Sequence, residues 1–198
     1  MVDGMRTTIR NWKPVIEQLV VAAATLGAIA MIAVGASGVL SGGLGAAFGK
    51  PFVSGDLPGT TYSASRCADF HEYHPSAPTC AAAAAAHHFD EVVTYRLAAG
   101  LLGLVVLGAL ALLRRRRRLA WDLLPDGFVA TMGCVGFGLA ALWCGGTAID
   151  SFVLGGHTGG AGQYLSGAIA SAIAFVPFAR SLLDTFASRL PPAMPAVA

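Results

Sequence analysis

The amino-acid sequence predicts an all-α polytopic membrane protein. The expected form is a bundle of four transmembrane helices with both termini cytoplasmic and one disulfide-pinned extracytoplasmic loop. Three observations predict it. Hydrophobic residues make up 55% of the 198 positions and charged residues only 12%, about half the charge that solvates an ordinary soluble domain. The apolar residues gather into four stretches, each near or above the ~20 residues that cross a ~30 Å hydrocarbon layer as a helix. Most of the 13 Lys and Arg residues then fall on one side of those four spans. This composition excludes a soluble globular enzyme, a disordered tail and a secreted mini-protein. Helices satisfy their backbone groups internally in lipid, and no strand-like alternation at ~10-residue intervals points to a barrel. Residues 1–198 read as a single integral membrane domain.

The first span is expected from about Pro14 to Leu40, behind Arg6, Arg10 and Lys13. Its apolar run from Val15 to Leu40 is longer than the 7–15 residues of a signal-peptide core, so it reads as a retained span. The loop follows, from about residue 41 to 91. Gly42 to Ser65 is rich in Gly, Pro, Ser and Thr and is expected to be irregular. Cys67 to His74 reads as a short helix ended by Pro75. Thr79 is placed to cap a helix whose first turns are Ala81 to Ala86, the strongest helix formers. That helix is expected to run unbroken into the second span, about 92–113, and to project above the membrane. From Cys80 to Leu113 it would measure roughly 50 Å.

The third and fourth spans are expected at about 128–149 and 163–183, the last kinked by Pro177. Arg6, Arg10, Lys13, Arg114, Arg115, Arg116, Arg117, Arg118, Arg180 and Arg189 lie on one side, and Lys50, Arg66 and Arg96 on the other. Positive charge accumulates in cytoplasmic segments. The expected localisation is therefore the cytoplasmic (inner) membrane, multi-pass, N-in and C-in. The arginine block reads as a membrane-surface anchor, each residue worth about 1 kcal/mol beside anionic lipid. No phosphate-cradling loop or soluble domain points to nucleic acid or nucleotide.

Cys67 and Cys80 share the outside loop, where an oxidising compartment lets them pair. Closing a loop of this length contributes about 3 kcal/mol in the chain-entropy description. Cys134 and Cys144 lie in one span, about 15 Å apart along a helix, and read as small packing residues. Of the five histidines, four fall in the loop. His71 and His74 are three apart, and His87 stands three and four residues before Asp90 and Glu91. Imidazole and carboxylate at such spacing are workable zinc or copper ligands. A solvated polar loop explains the same residues, and no complete metal motif is present. No cofactor is therefore predicted, with zinc or copper at His71, His74, His87, Asp90 and Glu91 as the alternative.

Gly35-Ala-Ser37-Gly38 resembles the GxSG motif of rhomboid intramembrane proteases, and His157-Thr-Gly-Gly160 resembles the histidine-bearing helix of that family. The resemblance implies Ser37 as nucleophile and His157 as its base. The chain departs from the family in having four spans instead of six, two spans between the motifs instead of one, and a serine that ends an outward-running span. Small residues such as Gly38, Gly42, Ala99, Gly103, Cys134 and Gly138 also let membrane helices approach closely. No ionisable residue falls at mid-span, and the halves show no internal repeat, which argues against a proton-coupled or inverted-repeat carrier. The expected role is non-enzymatic: an accessory, scaffold or assembly subunit whose partners are the lipid bilayer and a membrane protein or second copy. A metal-binding protein or membrane enzyme acting through the loop is the alternative. Richness in Ala, Gly and Arg is a compositional pointer to a bacterial source.

Overall fold

A computed structural model of the chain describes residues 2–56, 59–117, 127–153 and 160–188, with side chains from residue 15 onward except at 114, 116 and 117. Its elements are α1 (Val2–Phe48), α2 (Lys50–Ser54), α3 (Ala64–Tyr73), α4 (Cys80–Arg117), α5 (Phe128–Val153) and α6 (Ala161–Ala187). All described elements are helical. Four of them contain stretches long and apolar enough to cross a membrane: Val15–Phe48, Cys80–Leu113, Phe128–Val153 and Ala161–Ala187.

Glycines set how these helices meet. A Cβ built on Gly35 of α1 would come within 2.5 Å of the Gly100 Cα of α4, and one on Gly100 within 2.7 Å of the Gly35 Cα. The two backbones therefore touch where they cross, as small residues permit. On the other side, Gly133 of α5 lies directly under the Phe178 ring of α6. Phe178 also stacks on Phe137, with ring centroids 5.6 Å apart. α1 packs on α4, α5 on α6, and α1 on α6, whereas α4 and α5 do not pack on each other. The four-helix bundle expected from the sequence is thus an open arc in the order α4, α1, α6, α5.

The irregular chain expected from Gly42 to Ser65 is corrected over residues 42–48 and 50–54, which are helical. α1 continues to Phe48, breaks at Gly49 (φ 92°), and α2 follows. Glycine costs a helix roughly 1 kcal/mol against alanine, but here tertiary contacts offset it. Ser41 is fully buried, and Gly45 gives way to the Phe89 ring of α4. Gly55 ends α2 in the left-handed region (φ 87°), its N–H donating to the Pro51 carbonyl. α2 is wedged in place by buried Val53 and by Phe52, whose ring lies over Gly162 of α6 and 5.7 Å from the Phe152 ring.

Between α2 and the apolar part of α4 the chain folds as a polar head. Ser63 caps α3, and the Thr79 hydroxyl accepts from the Ala82 N–H at 3.2 Å. Ala83, Ala84 and Ala85 are at most 1% exposed, and Phe70 of α3 packs on the first two. The alanine tract thus does two things: it forms helix readily, and its short side chains let α3 lie close. A Cys67–Cys80 disulfide, Cα atoms 5.4 Å apart, ties the first turn of α3 to the start of α4.

Candidate functional site

Two regions concentrate polar chemistry: the head, and a cleft on the concave side of the arc. The head is organised around the Asp56 carboxylate, which is 9% exposed. Its Oδ1 accepts from the Tyr62 hydroxyl, and its Oδ2 lies 2.7 Å from His88 Nδ1. Burial, reinforced by the hydrogen bond to Asp56, pushes the Tyr62 phenol up to about 12. The histidines lie against rings. His87 is 5.5 Å from Phe70 and 5.1 Å from Tyr73, and His88 meets Phe70 edge-on at 5.3 Å. Asp90 pairs with Lys50 at 3.3 Å and with His74 Nε2 at 3.7 Å.

The structure brings some of the sequence-predicted ligands together. His74, His87, Asp90 and Glu91 line one open hollow. His71 does not line it. Among the described residues, no group of three His, Cys, Asp or Glu side chains is arranged to hold a metal ion. Asp56 and His88, which hold the head together, were not among the candidates. Asp56 stands alone in a Gly- and Pro-rich segment, and its partners lie six and 32 positions away.

The cleft has a volume of about 790 Å³ and is walled by α1, α4, α5 and α6. Its surface is mainly apolar, with Leu26, Met132, Phe137 and several Gly and Ala residues. Because α4 and α5 do not pack on each other, it opens sideways between them. Arg96 of α4 is its charged group. Arg96 Nη1 donates to Ser41 Oγ of α1 and to Ser166 Oγ of α6, both at 3.1 Å, and to the Gln163 carbonyl at 3.5 Å. The Ser166 hydroxyl donates to the Gln163 carbonyl at 2.8 Å. Ser41 is therefore the donor in the 2.8 Å bond between the two serines, since each hydroxyl has one hydrogen to give. Both serines are fully buried, so one cation ties three helices together. A Cβ on Gly38 would lie 2.8 Å from the Arg96 Cβ, so this glycine makes room for the arginine.

In the sequence Arg96 stands out only as one of three basic residues on the expected outer side of the spans. Its partners at 41, 163 and 166 come together only in the folded arc. Ser37 also lines the cleft, is 4% exposed, and donates to the Val34 carbonyl at 2.7 Å. His157 lies outside the described residues, as does Arg118; Arg115 is exposed at the far end of α4. Cys144 lines the cleft and neither it nor Cys134 is in a disulfide. No protein-family model, curated protein or solved structure matches the chain.

Proposed function

We propose that the protein is a non-enzymatic accessory or assembly subunit of a cytoplasmic-membrane complex, multi-pass, with both termini in the cytoplasm and the head outside. The open arc carries this reading. Its end helices present large apolar side chains away from the cleft: Leu101 and Val105 on α4, and Leu142 and Trp143 on α5, all at least 65% exposed. In lipid such faces gain no hydrophobic drive, but they gain close packing against another transmembrane helix. The head supports the same reading. Asp56 and Asp90 are paired within it and its rings pack on rings, while Arg66, Asp69, Glu72 and Glu91 take part in none of its ion pairs among the described residues and leave charge for a partner to meet. The orientation follows from the basic residues, with Arg114 to Arg118 anchoring α4 at the cytoplasmic surface.

A photo-crosslinking residue placed at Leu101 or Trp143 of the full chain, in native membranes, tests this. The expected result is one discrete adduct at either edge, with a membrane protein or a second copy of the chain. Lipid adducts alone at both positions, together with a monomer in mild detergent, would overturn the reading.

A further inference from the structure

The cleft holds a cation that no acidic side chain among the described residues neutralises. Every hydrogen bond described for Arg96 leaves from Nη1 and ends on a hydroxyl or a carbonyl. None of the ion pairs includes it. A guanidinium stays charged in any protein setting, and keeping that charge against apolar walls is costly without a counter-ion. The protein's own bonds occupy one terminal nitrogen. The Nε–Nη2 edge takes no part in them, and that edge receives the two oxygens of a carboxylate side by side.

Shape and position narrow the class of ligand. A volume of about 790 Å³ falls within the ~300–1,000 Å³ of small-molecule sites. Apart from the few polar groups around Arg96 the walls are apolar, and the opening faces sideways between two membrane-length helices. Arg96 stands about 27 Å along α4 from Arg114, near the outer end of the span expected at 92–113. An occupant that suits all of this has an anionic head at one end and a single flexible apolar tail. It enters from the bilayer and not from water. A two-chain lipid would leave a second chain outside a cleft of this size.

We propose that the cleft binds a single-chain fatty carboxylate, with its head on Arg96 and its tail along the opening between α4 and α5.

The test uses the full chain in nanodiscs of zwitterionic phosphatidylcholine, with radiolabelled palmitate as probe. Saturable binding near one palmitate per chain is expected. Hexadecanol, with the same tail and no charge, should compete at least about tenfold less well, the worth of a charge-assisted hydrogen bond. Arg96→Gln should weaken palmitate by about tenfold or more for the same reason. Because Arg96 also ties α4 to α1 and α6, Gly136→Phe is the independent variant. Gly136 lines the cleft, and a Cβ there meets nothing within 4 Å. The ring should stand in the path of the tail and weaken binding severalfold while the melting temperature is kept. Three results would each overturn the proposal: hexadecanol competing as well as palmitate, binding unchanged in Gly136→Phe, or phosphatidylglycerol displacing the probe more effectively than unlabelled palmitate.

Discussion

Asp56 holds more of the head than its place in a Gly- and Pro-rich segment foretells. One carboxylate joins Tyr62, at the approach to α3, to His88 on α4, and its burial makes both bonds hard to replace with water. The raised Tyr62 phenol has a pH consequence. A group whose pKa is higher in the folded state stabilises that state fully below its unfolded value, here about 10. That contribution is then lost as pH rises through about 12. A phenolate absorbance titration of the folded protein is expected to show a late step near pH 12 from Tyr62. Tyr62→Phe should remove that late step and cost the head about 1.5 kcal/mol, the low end for a hydrogen bond to a charged acceptor. A titration whose late part is unchanged by Tyr62→Phe would overturn this placement of Tyr62. The four loop histidines stood out in the sequence because residue type and spacing are local. Asp56 did not, because its value lies in partners brought to it by the fold.

At the level of helices, the α1–α4 crossing depends on two missing side chains. Gly100→Leu must push the α1 backbone away from Gly35, since a Cβ there already meets that backbone at 2.7 Å. Overpacking of this kind costs about 1–3 kcal/mol, and a melting temperature several degrees lower is expected in detergent. Gly108→Leu lies on the same helix, where a Cβ meets nothing within 4 Å, and should be nearly silent. Equal effects at both positions would mean that the crossing does not need glycine. The sequence pointed to close packing but not to the right pair. Gly38 makes a close contact as expected, while a Cβ at Gly42 would meet nothing within 4 Å. The existence of the four long helices, the Thr79 cap and the Cys67–Cys80 pairing were all legible, because apolar length, capping chemistry and a shared loop are short-range signals. The helical character of residues 41–48 and 50–54 was not. Glycine there argues locally for irregular chain, and only Phe89, Ser166 and Gly162, each from another helix, overrule it.

For the whole molecule, the open arc was beyond reach of the sequence, which shows that helices pack but not which edges stay apart. The proposed membrane orientation is the reverse case: it rests on the distribution of Lys and Arg along the chain alone. Reporter fusions after residues 65, 117, 157 and 195 are expected to score outside, inside, outside and inside. A reporter at 117 scored outside would reverse the proposed orientation. α4 adds a mechanical consequence. It is one unbroken rod from Cys80 to Arg117, with the head bolted to its start by a disulfide and the cleft's arginine sixteen residues further along. The rod has no packing on its α5 side and crosses α1 where Gly35 meets Gly100. A tilt of about 10° at Arg96 would sweep Cys80 sideways by about 4 Å, from the 1.5 Å rise per residue. A rod of that length would act as a lever, turning a small spreading of the helices into a displacement of the head.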